Sequence, residues 1–144
     1  MQEILKKEIS LEGNTRIGLF GGSFNPAHEW HFQVANHACN ILSLDKVIWL
    51  VSPHNPLKDK KTLYALEDRL ESAKKIGNSS NFIITDVEKK LKTQYSIDTI
   101  SIFQKTFTSK KFIWIMGSDN AAQIQQWKDW KKILEKIAIA IYPR

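Results

Sequence analysis

Five short apolar runs, separated by longer helix-compatible stretches, constrain this chain more than any other feature of its sequence. The runs are 17–20, 47–51, 82–84, 112–116 and 137–141. Their apolar residues are continuous rather than alternating, which is the pattern of strands covered on both faces. The stretches 29–44, 63–76, 96–107 and 120–136 carry helical patterns. Strands and helices alternating in this way predict an α/β fold, a doubly wound five-stranded parallel sheet. Gly77-Asn78-Ser79-Ser80 reads as a helix stop and loop rather than a linker. With no internal repeat or low-complexity tract, residues 1–144 read as one domain, with 1–15 an extension ahead of the first strand.

At 144 residues and 42% apolar content the chain is long enough for one real core. No apolar run approaches membrane-spanning length, and the segment up to Arg16 is charged with no apolar signal core. No membrane partner is expected. Cys39 is the one cysteine, which excludes a disulfide framework and points to a reducing, cytoplasmic setting. Its spacing with Phe32, Ala35 and Leu42 places it on a helix core face rather than in a nucleophile's role. The formal charge is +6, but the lysines come in scattered groups such as Lys6-Lys7, Lys74-Lys75, Lys110-Lys111 and Lys131-Lys132. Most of these fall at helix ends or loops, where a solvated face is the ordinary reading. A basic surface around an anionic small substrate accounts for the sign equally well, so nucleic acid is not the expected partner.

In a doubly wound sheet, ligands sit outside the carboxyl ends of the strands. After the first strand comes Gly21-Gly22-Ser23-Phe24-Asn25-Pro26-Ala27-His28-Glu29-Trp30-His31. The glycines permit a turn that a Cβ would resist. Asn25 is expected as the N-cap of the following helix, and Pro26 suits its first position. Free N–H groups and the positive end of the helix dipole would then face the ligand side. His28 and His31, at i and i+3, share one helix face. Two donors there can grip phosphate oxygens and stabilise charge that develops in phosphoryl or nucleotidyl transfer.

A glycine pair after a strand is common, and a lone histidine is usually structural. The histidine pair directly behind Ser-Phe-Asn-Pro is far more specific. GxGxxG and the Walker pattern are both absent. One cysteine and no HExxH arrangement argue against zinc, so no metal ligands are assigned.

Three further groups follow strands or open helices. Ser52-Pro53-His54-Asn55-Pro56-Leu57-Lys58 is a rigid loop ending in a cation. Gly117-Ser118-Asp119-Asn120 is a small-residue turn whose carboxylate can hold a ribose hydroxyl, cap a helix, or do both. Tyr95-Ser96 opens a helix, where hydroxyls and free N–H groups can receive a carboxylate. Trp127 and Trp130 come soon after the Gly-Ser-Asp turn; such rings are more often core than shelf, unless the substrate carries a flat aromatic ring.

With these pieces in order, the chain resembles the bacterial nicotinate-nucleotide adenylyltransferases, within the nucleotidylyltransferase superfamily. The resemblance runs from about Arg16 to Arg144. It rests on Gly-Gly-Ser-Phe-Asn-Pro-Ala-His-x-x-His, on Trp49 through Lys58, on Tyr95-Ser96-Ile97-Asp98-Thr99, and on Trp114 through Asn120 followed by Trp127. It implies a Rossmann-like fold and transfer of AMP from ATP to nicotinate mononucleotide, giving deamido-NAD and pyrophosphate, with Mg²⁺ bound alongside the ATP. On this resemblance His28 and His31 are the catalytic pair and hold the ATP phosphates, with Gly21, Gly22, Ser23 and Phe24 assisting through the backbone. Gly117 and Asp119 lie against the adenosine or its ribose. Tyr95 and Ser96 meet the nicotinate carboxylate, Trp127 stacks on the pyridine ring, and Asn55 and Lys58 take the mononucleotide phosphate.

Two departures shape the expectations. The family usually has Gly between the histidines, where this chain has Trp30, a ring that either folds outward or crowds the phosphates. The family also continues past the fifth strand to a second nucleotide motif resembling Ile-Ser-Ser-Thr-x-Ile-Arg, which this chain does not contain. Charge-assisted hydrogen bonds contribute roughly 1.5–3 kcal/mol each, so losing one Arg and two donors removes several decades of activity. A nucleotide-binding remnant, or an enzyme with another acceptor such as a pantetheine phosphate, are the alternative readings. Missing terminal helices would uncover apolar sheet surface and favour association with another chain, a homo-oligomer included.

Overall fold

All five apolar runs form strands of a single parallel sheet. In the computed structural model, which describes residues 1–53 and 63–143, the chain begins with α1 (Gln2–Glu8), β1 (Arg16–Gly22), α2 (Glu29–Ile41) and β2 (Lys46–Val51). It continues through α3 (Leu66–Ile76), β3 (Phe82–Thr85), α4 (Val87–Leu91), α5 (Ser96–Thr106) and β4 (Lys111–Gly117). Then come α6 (Ser118–Ala121), a 3₁₀ turn at Ile124–Gln126, α7 (Trp130–Lys136) and β5 (Ala138–Tyr142). The strand order is β3-β2-β1-β4-β5. The register pairs Gly22 with Val51 on one side of β1 and Phe20 with Ile115 on the other.

Successive residues of each strand point to opposite faces, and both faces of β1, β2 and β4 are covered, while the edge strand β5 leaves Ala138 and Ile141 exposed. Ile17 and Leu19 of β1, Ile48 and Leu50 of β2, and Phe112 and Trp114 of β4 belong to one core. That core also takes in Leu5 of α1, Leu91 of α4, Ile100 and Phe103 of α5, and Ile133 of α7. Phe20, Val47, Trp49, Ile113 and Ile115 belong to the other, together with Val34, Ala35 and Ala38 of α2 and Ala73 of α3. This two-sided burial is the reason the strands read as continuous apolar runs. Each such Leu, Ile or Val side chain contributes about 1.5–3 kcal/mol by leaving water.

Cys39 is buried on α2 as its spacing predicts, and burial, followed by the nearby Asp45, pushes its thiol pKa up. It is a core residue and a poor nucleophile. No described helix is long and apolar enough to cross a membrane.

Four local expectations need correction. First, α2 starts at Glu29 with His28 as N-cap, so Asn25 and Pro26 precede the helix. The Asn25 side chain instead accepts a hydrogen bond from the Tyr64 N–H at 2.8 Å. Second, the helix expected over 120–136 is broken into α6, the 3₁₀ turn and α7, with Asp129 in the left-handed region at φ 54. Tertiary packing overrides propensity there, because Ile124 and Trp127 settle on the core beside Trp114 while Ile133 is fully buried. Third, α4 is an element that sequence patterning did not separate. Fourth, the extension expected over 1–15 carries α1 and buries Leu5, Ile9 and Leu11 almost completely.

Candidate active site

The carboxyl ends of β1 and β4, neighbours in the sheet, carry the residues that the sequence places at ATP. The glycine after Phe20 is required by close approach. A Cβ on Gly21 would lie 2.7 Å from the Trp114 ring. Phe24 follows at φ 49, a conformation unusual for a bulky residue. Its ring is fixed by stacking on Trp49 at 5.4 Å and 12° and by contact with His31 at 4.8 Å. The strain of the turn is held by that packing.

The start of α2 then orients the histidines. His28 N–H donates to His31 Nδ1 at 3.1 Å, and the two rings lie 4.2 Å apart. With Nδ1 used as an acceptor, the neutral His31 ring carries its proton on Nε2. His31 is only 8% exposed and wedged between Phe20 and Phe24. Its ring is therefore a preset donor rather than a swinging one.

A cleft of about 310 Å³ gathers all eight residues expected at ATP: Gly21, Gly22, Ser23, Phe24, His28, His31, Gly117 and Asp119. Trp30 forms part of its wall. The indole N–H donates to the Pro143 carbonyl at 3.1 Å, and the ring lies 2.8 Å from where a Gly117 Cβ would be. The ring thus bridges from α2 to the end of β4, and a side chain at 117 would collide with it. Asp119 lies inside α6, whose N-cap is Gly117, so the expected capping role for Asp119 is not found.

A second cavity, of about 140 Å³, shares Gly21, Gly22, Ser23 and Asn120 with the first. It gathers Tyr95, Ser96 and Trp127. Tyr95 is the N-cap of α5 and Ser96 its first residue. Trp127 is half-buried, meets Trp114 edge-on at 6.4 Å, and still faces the cavity, so it serves both as packing and as wall. Asn55 and Lys58 lie outside the described residues. Among the described residues, no group of three or more His, Cys, Asp or Glu is placed to hold a metal ion.

Sequence reasoning missed two buried charged residues. Arg69 on α3 is 2% exposed and donates to the carbonyls of Ser23 at 2.8 Å, Ser52 at 2.6 Å, Pro53 at 3.1 Å and Tyr64 at 2.9 Å. It ties the loop after β1 to the loop after β2. A peptide's C=O and N–H point opposite ways, so anchoring the Ser23 carbonyl turns the Phe24 N–H away from Arg69. Burial lowers the guanidinium's pKa without removing its charge. The signal was present: Arg69 shares a helical face with Leu66, Leu70 and Ala73. Glu88 on α4 accepts a hydrogen bond from Thr99 Oγ1 at 2.7 Å, and Thr99 lies 2.9 Å from Thr93 Oγ1. Burial pushes its carboxyl up to about 7, against the opposing hydrogen bond from Thr99. Nothing in its local sequence marked it.

Two joined cavities at the switch point of a parallel sheet, one walled by paired imidazoles, define a nucleotide-handling α/β protein, and residues 19–144 match the cytidylyltransferase-like family model. The chain is 43% identical over 129 residues to a probable nicotinate-nucleotide adenylyltransferase of Caulobacter sp., covering 90% of this chain and 68% of the relative. It is 42% identical over 139 residues to the protein so named in Parvibaculum lavamentivorans, covering 96% and 69%. The chain belongs to the nicotinate-nucleotide adenylyltransferase family. It spans about two thirds of the length of these relatives. Among solved structures, the Plasmodium falciparum nicotinic acid mononucleotide adenylyltransferase complexed with NaAD shares the fold, with a TM-score of 0.79 at 21% identity over 90% of this chain and 65% of that one.

Proposed function

We propose that this chain moves AMP from ATP to nicotinate mononucleotide, giving deamido-NAD and pyrophosphate in NAD biosynthesis, in the cytoplasm. The observation that carries this reading is the meeting of the two cavities along Gly21, Gly22 and Ser23. A triphosphate in the histidine cleft and a mononucleotide in the Tyr95–Trp127 cavity would bring their phosphates together over that ridge. The mononucleotide phosphate oxygen attacks the α-phosphorus, the bond to the β-phosphate's bridging oxygen breaks, and the electron pair leaves with pyrophosphate.

The charge that develops falls on oxygens beside His28, His31 and the backbone of the turn. Donors already aimed there stabilise it without reorganisation. Mg²⁺ fits as a guest of the ATP phosphate oxygens, with Asp119 the carboxylate on the cleft wall, and it would supply further charge neutralisation there.

The test mixes the purified chain with ATP, Mg²⁺ and nicotinate mononucleotide and measures pyrophosphate. Release that depends on the mononucleotide is the expected result. Silence at high enzyme concentration, with both ligands binding by calorimetry, would move the chain to a nucleotide-binding role. A panel of other acceptors, pantetheine phosphate included, separates the remaining reading, which the ring-bearing cavity disfavours.

A further inference from the structure

We infer that Glu88 sets the preference between acid and amide at the mononucleotide cavity, by presenting a neutral carboxyl to an incoming carboxylate. This rests on the mononucleotide reading of that cavity. Glu88 is part of the cavity wall with Tyr95, Ser96 and Trp127. Its Oε2 is held by Thr99, and among the described residues it has no ion pair.

Thr99 Oγ1 is the donor to Glu88 Oε2. That oxygen accepts whether the carboxyl is ionised or protonated on its other oxygen, Oε1, so the proton is not spent on Thr99. The site therefore accommodates both states of Glu88 without moving an atom. A neutral Glu88 offers an O–H donor at the wall. An ionised one places a negative charge against the substrate's own, and like charges in a desolvated site exclude each other. The amide analogue carries no such charge, and its NH₂ can donate to an ionised Glu88.

The surrounding charged groups do not neutralise this carboxyl. Asp86, Lys89, Lys90 and Lys92 beside it in sequence, Lys6, Lys7 and Glu8 on α1, Asp98 on α5 and Lys128 on the cavity rim are all exposed or half-buried, and among the described residues none makes an ion pair with it. Lys128 lies 4.9 Å over the Tyr95 ring.

The sign follows directly. Burial raises this carboxyl to about 7, so the competent, protonated fraction is large at pH 6 and small at pH 8. Apparent affinity scales with that fraction. Binding of the acid then draws a proton from solvent onto Glu88.

Calorimetric titration of the full chain with nicotinate mononucleotide and with nicotinamide mononucleotide, at pH 6 and pH 8 without ATP, tests this. The ratio of the two affinities cancels the titration of the shared phosphate and of the histidines. We expect the acid-over-amide ratio to fall at least about tenfold from pH 6 to pH 8, and to fall less than twofold in Glu88→Gln. A ratio that is flat in the unmodified chain, or an unchanged fall in the variant, overturns the inference. Should Glu88→Gln not fold, proton uptake is read in buffers of different ionisation enthalpy. Close to one proton should enter with the acid at pH 8 and none with the amide, and no uptake with the acid also overturns it. If neither mononucleotide binds at pH 6, the mononucleotide reading itself fails; binding of both with a pH-independent ratio defeats the role of Glu88 alone.

Discussion

The histidine cleft and the Tyr95–Trp127 cavity share four residues, yet they are built in opposite ways. The cleft is largely one contiguous segment, from Phe20 to His31, closed by the turn after β4. Its working groups are main-chain amides and imidazoles whose positions are set within a few residues. The cavity is assembled from α4, the start of α5, β4 and the segment around the 3₁₀ turn. Its walls are rings and one buried carboxyl. The first arrangement suits phosphates, which every substrate of a nucleotidyl transfer brings. The second suits discrimination, because it can change wall by wall without disturbing the phosphate groups.

Arg69 is the place where the two are joined, so its loss should be felt on both sides. Arg69→Met leaves the carbonyls of Ser23, Ser52 and Pro53 without their charged donor. Buried groups left in this way cost about 1–3 kcal/mol each. We expect a fall in melting temperature of ten degrees or more, with weaker binding of ATP and of nicotinate mononucleotide together. Arg69→Lys should recover stability only partly, since an ammonium cannot span these carbonyls in a plane. Selective weakening of one ligand in Arg69→Met would break the picture of a shared anchor.

His31→Ala should separate the two regions. Removing one preset donor is expected to lower turnover by about 10²–10³, and His28→Ala should act in the same range. Mononucleotide affinity measured without ATP should change far less. Turnover reduced under threefold in both variants would remove the role assigned to the pair. Trp127→Ala is the converse. An aromatic contact contributes about 0.5–1.5 kcal/mol beyond its buried area, so KM for the mononucleotide should rise roughly tenfold while KM for ATP stays within about twofold.

The same contrast explains what could be read from the chain alone. Five parallel strands were legible because each run is apolar throughout, and the histidine cleft was legible because its groups are neighbours in sequence. Glu88 was not, and for Arg69 the helical face gave its burial but not its partners. The carbonyls of Ser23 and Ser52 lie 46 and 17 residues from Arg69, and Thr99 lies 11 from Glu88. A buried charge is intelligible only once its partners are in place. The break of the helix expected over 120–136 has the same origin, since Trp127 leaves helical geometry to reach Trp114, a contact that no local propensity encodes.

Trp30 offers the finest test of how independent the two regions are. It sits where the family usually has glycine, yet it neither swings clear of the cleft nor stands alone within it. Its N–H is bound to Pro143 and its ring rests at Gly117. Trp30→Phe keeps an aromatic wall and removes the donor, a change of about 0.5–1.5 kcal/mol. KM for ATP should therefore rise only two- to tenfold, with the acid-over-amide ratio for the mononucleotide unchanged. Trp30→Gly removes the wall as well and should weaken ATP further. If the ring instead obstructs the phosphates, Trp30→Gly will bind ATP more tightly than the unmodified chain. Calorimetry with ATP on the two variants decides between a wall and an obstruction by the sign of a single change.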